Sequence, residues 1–310
     1  MKSLITNTTF LAILACLLWS TAFVGVKIGL EYTTPLQFAG IRFIISGLMI
    51  LPFTGGLRKH WMVFIKNRPV ILKIAFLNTF FQYMLFYTGL TMTPAALAAI
   101  VIGAGPLFIA MMAHFMIPGD RMTWIKTLIF LMGFTGIILV SFGRNQLSSA
   151  GEVGITGILI LLGVNVASGF GNVFVARDAG GIHPFILSSS SMIIGGGALF
   201  LFSIPVEGFN TVDKPLEYYG ALAWLSFLSA AAISIWFTLL KRPGVKVSDL
   251  NFWKFLIPLA GAILAWIILP GERPAWIAVA GMLIIALSLV FLNIYKRRSW
   301  QRELRTSPKI

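Results

Sequence analysis

Ten stretches of this chain run for about 20 residues each with few charges, which is the length an α-helix needs to cross the hydrocarbon core of a bilayer. They fall at roughly 9–30, 35–53, 69–90, 94–117 and 123–142, and again at roughly 153–176, 183–206, 216–240, 249–269 and 275–295. Hydrocarbon offers no partner for a backbone amide or carbonyl, so such segments must satisfy their hydrogen bonds internally, as helices. Charged residues make up 11% of the chain and the mean hydropathy is +0.90, where a soluble domain carries about 25% charge. The expected fold class is an all-α polytopic membrane protein with ten transmembrane helices. Breaks between runs carry turn-formers or charge, as at Thr34-Pro35, Thr54-Gly55-Gly56, Thr93-Pro94, Gly180-Gly181 and Arg242-Pro243-Gly244.

The formal charge of +14 would suit nucleic acid if the cations shared one polar face. They sit instead at the ends of apolar runs, so no nucleic-acid role is expected. With the N-terminus inside, connections on the inner side hold 16 Lys and Arg and those on the outer side only Arg144, Lys214 and Arg273. That asymmetry follows the positive-inside rule and puts both termini in the cytoplasm. Cys16 is the single cysteine, so neither an intramolecular disulfide nor a cysteine-based metal site can form. Ile13-Leu14-Ala15-Cys16 has the outline of a lipoprotein cleavage signal, but Leu17-Leu18-Trp19 continue the apolar run and an uncleaved first span is expected. His60, His114 and His183 are scattered and the acids stand at loop positions. No catalytic centre, metal or cofactor is therefore expected, and the absence of a Walker motif excludes ATP-driven pumping by this chain.

The chain also repeats itself. Ile117-Pro118-Gly119-Asp120-Arg121-Met122-Thr123-Trp124 returns as Leu269-Pro270-Gly271-Glu272-Arg273-Pro274-Ala275-Trp276, and Pro106 and Pro258 each stand twelve residues before the respective proline of Pro-Gly. Thr34-Pro35 with Gly47 is echoed by His183-Pro184 with Gly196. Self-similarity at this spacing marks two copies of one unit. Residues 1–148 form the first repeat, 149–295 the second, and 296–310 a basic cytoplasmic tail suited to anionic lipid. Five spans per copy is an odd number, so the second copy enters from the opposite side. The architecture expected is two inverted five-helix repeats.

Several short motifs carry a resemblance. They are Leu18-Trp19-Ser20 through Lys27, Gly40-Ile41-Arg42-Phe43, Gly89-Leu90, Thr93-Pro94-Ala95-Ala96, Gly105-Pro106-Leu107, and the duplicated Pro-Gly-acid-Arg turn. Over about residues 9–295 their order and spacing resemble the drug/metabolite transporter superfamily, in its ten-helix EamA-type branch. The resemblance implies a carrier whose helices 1, 3, 4, 6, 8 and 9 line a central cavity, with helices 5 and 10 peripheral. Superfamily substrates include amino acids, other metabolites, nucleotide sugars, sugar phosphates and drugs, so membership names no single one. The second copy has Gly169 where the first has Trp19, so the halves need not contribute equally.

Polar residues inside spans are costly unless they face protein or water. In helix 6, Asn165, Ser168 and Asn172 share one face at i, i+3, i+7, and in helix 3, Asn78 and Gln82 pair at i, i+4 beside Tyr83 and Tyr87. Helix 9 offers Asn251 and Lys254 on the stripe of Pro258, and helix 8 offers Ser229 and Trp236. The bland alternative for each amide is an interhelical hydrogen bond. Trp19 and Trp236 are the aromatic candidates, whereas Trp124 and Trp276 suit interface anchors. Of the cations in spans, Lys73 and Lys126 are expected to snorkel, Lys27 to snorkel or pair with Glu31, and Arg42 to clamp loop carbonyls. Pro106 and Pro258 are expected hinges, since proline removes a helical hydrogen bond.

No Asp or Glu lies deep in a predicted span, which favours neutral, zwitterionic or anionic solutes over cations. The leading reading is a secondary transporter in a bacterial cytoplasmic (inner) membrane, moving a small metabolite outward by alternating access. An integral-membrane enzyme acting on lipid or isoprenoid is the alternative, and a sensor or assembly partner a third. Monomer and homodimer are both compatible with the sequence.

Overall fold

A computed structural model of the chain describes residues 7–93, 95–142, 155–209, 213–268 and 275–306. Among these it is helical throughout, with no strand. In chain order the α-helices are α1 (Thr8–Ser20), α2 (Ala22–Leu30), α3 (Pro35–Ile50), α4 (Leu57–Ala75), α5 (Gln82–Thr91), α6 (Ala95–Gly103), α7 (Gly105–Met116), α8 (Trp124–Phe142), α9 (Ile155–Asp178), α10 (Pro184–Glu207), α11 (Leu216–Leu240), α12 (Val247–Asn251), α13 (Leu256–Ile268) and α14 (Trp276–Thr306). A π-helical turn at Phe76–Phe81 joins α4 to α5, and 3-10 turns stand at Leu51–Thr54 and Phe252–Phe255. Six helical stretches are long and apolar enough to cross a membrane: Pro35–Thr54, Leu57–Thr91, Ile155–Asp178, Pro184–Glu207, Leu216–Leu240 and Trp276–Tyr295. Shorter apolar helices include Thr8–Ser20, Ile100–Met116 and Trp124–Val140. The chain is thus an all-helical, multi-pass membrane protein. Pro94, the expected turn at 269–274 and residues 307–310 lie outside the described residues.

Two helices run beyond the apolar spans expected of them, the last of which does end at Tyr295. The third span begins at Leu57, not at residue 69, because the basic stretch carrying Arg58, Lys59, Lys66 and Arg68 is itself helical. It is amphipathic, with Trp61 and Met62 exposed, and it bends where Asn67 leaves helical geometry ahead of Pro69. The last helix runs past residue 295 to Thr306.

Two long pairings flank the molecule, α3 along α10 and α8 along α14. Glycine permits both. A Cβ on Gly47 would collide with the Ser189 carbonyl and one on Gly196 with the backbone of Ile44, while Gly136 and Gly281 would each meet the other's carbonyl. Close backbone approach of this kind is the usual route to helix association in lipid. The Ser188–Ser191 run, which resembles a set of hydroxyls bonding back to their own helix, does so only in part. Ser188 donates to the Pro184 carbonyl at 3.0 Å, but Ser189 donates across to the Gly47 carbonyl at 2.7 Å and Ser190 meets His60 Nε2 at 2.9 Å. The α3 N-terminus is capped from α10: Glu207 accepts from the Leu36 amide at 2.9 Å and the Gln37 amide at 3.1 Å. A carboxylate there meets free N–H groups and the positive end of the helix dipole.

Inside these pairs, α1 packs on α11 and α13, and α9 packs on α5, the π turn and α7. Trp124 and Trp276, at 76% and 89% exposed, point away from the protein as interface anchors do.

Candidate functional site

Three helix irregularities build a cavity at the centre. The first is in α1–α2, where the Ser20 hydroxyl donates to the Leu17 carbonyl at 2.7 Å and the Thr21 hydroxyl to the Leu18 carbonyl at 2.8 Å. Such local bonds compete with the helix ladder, and the helix breaks at Thr21, directly after Trp19. The second is the π turn. Regular α-helical spacing would set Tyr83 about 100° from Gln82. Gln82 and Tyr83 both follow the turn, and Asn78, Thr79, Gln82 and Tyr83 all reach the cavity. The third is the 3-10 turn carrying Lys254. Pro258, four residues on, has no N–H for the Lys254 carbonyl, and the tightened turn at Phe252–Phe255 precedes it.

The cavity is lined further by Ser168 and Asn172 of α9 and by Ile233, Trp236 and Phe237 of α11. Its volume is about 60 Å³, room for roughly four waters at about 15 Å³ each. The Trp236 indole donates to Asn172 Oδ1 at 2.9 Å, and Asn172 Nδ2 donates to the Ser168 carbonyl at 2.8 Å. Trp19 and Trp236 meet edge to face with centroids 5.1 Å apart. The Lys254 ammonium stands 4.9 Å from the Trp236 ring centroid and 5.7 Å from that of Trp19. Among the described residues no carboxylate lies within ion-pair distance of it. Arg42, buried at 4% exposure, stacks on Phe43 at 4.5 Å and on Tyr83 at 5.5 Å. Cation–π contact replaces the loop-carbonyl clamp expected of it.

Of the residues singled out from sequence, Trp19, Asn78, Gln82, Tyr83, Ser168, Asn172, Trp236 and Lys254 converge on this cavity. Asn165, Ser229 and Asn251 do not. Asn165 Nδ2 donates to the Val101 carbonyl at 2.6 Å, in the turn where helix 4 is interrupted at Ala104 between α6 and α7. Proline at 106 leaves this turn short of donors, and the amide supplies one. Asn251 bonds back to the Val247 carbonyl at 3.0 Å, and Ser229 is buried in α11 away from the opening. Tyr87 is also turned away, into the α3–α10 core. Thr79, Ile233 and Phe237 are additional lining residues. An α-helical wheel puts Thr79 between Gln82 and Tyr83, at i+3 and i+4, which is the signal that could have found it; no polar signal marks the other two.

The cations expected to snorkel are paired instead. Lys73 forms an ion pair with Asp178, which Arg177 also contacts at 2.6 Å. Lys126 is 3% exposed and meets Asp249 at 2.7 Å, Ser248 Oγ at 2.8 Å and Asp120 at 3.8 Å. Asp120 in turn accepts from the Ser248 amide at 2.9 Å and from its hydroxyl. Asp120 lies in the turn before α8 and Asp249 in the short α12 at the mouth of the ninth expected span, which is why a count of acids deep within spans misses them. The side chains of Lys27 and Trp266 lie outside the described residues.

Comparison with known proteins gives the same picture. The chain is 26% identical over 290 residues to YvbV of Bacillus subtilis, described as an uncharacterized transporter, covering 93% of this chain and 92% of that one. It is 26% identical over 293 residues to YedA of Escherichia coli, an uncharacterized inner membrane transporter, covering 90% and 89%. A protein of known crystal structure, 19% identical, superposes with a TM-score of 0.79 over 94% of this chain and 98% of its own, a likeness of fold. The profile of the EamA-like transporter family matches twice, at residues 6–142 and 155–294. Two matches to one profile make the chain a tandem duplication, and the chain belongs to the EamA-like transporter family.

Proposed function

We propose that the protein is a secondary transporter that carries small metabolites across a bacterial cytoplasmic membrane by alternating access. The reading rests chiefly on one observation: side chains from both repeats converge on a narrow central cavity with aromatic walls, amides and a single ammonium. Neutral, zwitterionic or anionic solutes suit it, for no carboxylate among the described residues enters the cavity to receive a cation. Export is the direction favoured, and monomer and homodimer remain equally compatible.

The contacts support ten spans arranged as inverted repeats. Each flanking pair, α3 with α10 and α8 with α14, joins a helix to its counterpart in the other copy. The inner contacts exchange likewise, α1 with α13 matching α9 with α7. Helix 4 is interrupted before Pro106 and helix 9 before Pro258, and these two points serve as hinges as one bundle rocks on the other. The Asp120–Lys126–Asp249 cluster ties the copies together at the end that the positive-inside rule puts in the cytoplasm.

The test is flux in proteoliposomes, using a mixture of labelled amino acids and organic acids chosen from metabolites that accumulate in cells lacking the gene. Carrier-dependent exchange that saturates is expected, and Pro106→Ala should slow it several-fold at equal incorporation. Solute-free chemistry on vesicle lipid without flux would support the enzyme instead, and an unimpaired Pro106→Ala protein would remove the hinge.

A further inference from the structure

We propose that the central cavity receives the carboxylate of a small organic monoanion, with Lys254 as its counter-charge and the Asn78 amide as a second donor; this deepens the transporter reading and rests on it. The first ground is an excess of donors. The Lys254 ammonium has three N–H groups, and among the described residues it makes neither a hydrogen bond nor an ion pair. Its neighbours are indole faces. Asn78 Nδ2 is buried with no acceptor. The side chain is held there by close packing on Gly171, where any Cβ would strike the amide.

The second ground is that the acceptors of the α9 wall are engaged. Asn172 Oδ1 takes the Trp236 indole hydrogen, and the Ser168 carbonyl takes the Asn172 amide. Unsatisfied donors on Lys254 and Asn78, facing an α9 wall whose acceptors are taken, are complementary to a group that only accepts, and an ionised carboxylate is that group. The third ground is charge. The Arg42 guanidinium is buried against Tyr83 on the cavity wall with no carboxylate in ion-pair range among the described residues. The buried acids Asp120 and Asp249 are held by Lys126 and Ser248 instead. One negative charge on the solute therefore balances Lys254, whereas an added ammonium would face it uncompensated. This separates a plain monoanion from a zwitterion, which the broader reading does not. The walls set the remainder of the molecule: Trp19, Trp236, Ile233 and Phe237 suit a flat or hydrocarbon body.

A matched panel tests this on the purified full-length protein in detergent: benzoate, benzamide, benzylammonium and phenylalanine share a ring and differ in charge. Binding is read by thermal shift and by tryptophan fluorescence at neutral pH. Benzoate is expected to bind most tightly. Lys254→Met should weaken it by at least about tenfold and Lys254→Arg by much less, since the charge survives. Asn78→Leu should weaken it a few-fold. Ligand-free Lys254→Met should melt no lower than the parent, because it removes a buried cation that has no partner. Should that variant fail to fold, the Lys254→Arg and Asn78→Leu titrations carry the test. Equal binding of benzamide or phenylalanine, or benzoate binding indifferent to Lys254→Met, would overturn the anion assignment while leaving metabolite flux, and so the transporter reading, intact. Absence of benzoate binding to the parent overturns it as well.

Discussion

The Lys126 cluster offers the sharpest stability prediction. Lys126→Met keeps the length and apolar bulk of the side chain but deletes one cation. In the parent its ammonium is 2.7 Å from Asp249, 3.8 Å from Asp120 and 2.8 Å from Ser248 Oγ. The side chains of Lys126, Asp120 and Asp249 are only 4%, 2% and 7% exposed, so solvent screens the interaction little. Removing one partner of a buried ion pair typically costs about 3–5 kcal/mol, mostly because the remaining charge stays buried unpaired. For a chain of this size that corresponds to a fall on the order of 10 °C in thermal midpoint. The assay is a thermal scan of the purified protein in one detergent at a fixed scan rate, read by tryptophan fluorescence and by the surviving monodisperse fraction. Asp249→Asn alone should lose less, since Asp120 still faces Lys126. Combining Lys126→Met with Asp249→Asn should recover part of the loss, with a coupling of about 1–3 kcal/mol. If Lys126→Met melts within about 2 °C of the parent, the cluster does not hold the two copies together and the lysine reaches water after all.

Asn165→Leu should lower stability by about 0.5–1.5 kcal/mol, the net worth of one hydrogen bond, because the Val101 carbonyl keeps the Ala104 amide at 3.2 Å. It should leave solute affinity unchanged in protein that folds, as read by melting and by ligand titration on the same preparation. His183 carries a pH prediction. Its Nδ1 accepts from the Phe185 amide at 3.3 Å, and burial, then Lys241, then Lys59 hold its pKa below the ordinary 6.5. A depressed histidine favours the neutral ring, so its contribution is present above 6.5 and is lost as pH falls through the folded-state value. Thermal midpoints should drop across that acidic window, and His183→Asn, which keeps a capping oxygen, should flatten the drop.

Most of the helices were legible because nothing but a helix can hold 20 apolar residues in lipid. The start of the third was not, because Arg58, Lys59, Lys66 and Arg68 read as a loop, and only three-dimensional placement shows a helix with one wet face. Eight of the proposed cavity residues do converge, since polarity inside a span is a strong signal. What polarity cannot say is which partner a given amide finds. Asn165 and Asn172 sit on the same face of one helix, yet one is taken by a neighbouring backbone and the other borders the cavity. Thr79 was legible in principle, since it stands at i, i+3 and i, i+4 to Gln82 and Tyr83, but a lone threonine inside a span usually bonds back to its own helix and so carries a weak signal. Asp178 opposite Lys73 and Asp249 opposite Lys126 come from far along the chain, so no local window could pair them.

The glycine seams of the two flanking pairs bear on how the protein is made. The faces of α3 and α8 that carry Gly47 and Gly136 find their complements only on α10 and α14, which a ribosome delivers much later. Until then the bilayer must hold those early helices with their seams unmatched. Neither half is therefore a self-sufficient product. Expressed alone, residues 1–148 should be degraded or self-associate, while the two halves supplied together should reassemble into a species that co-purifies. A stable, monomeric first half would show that its seams find shelter without the second.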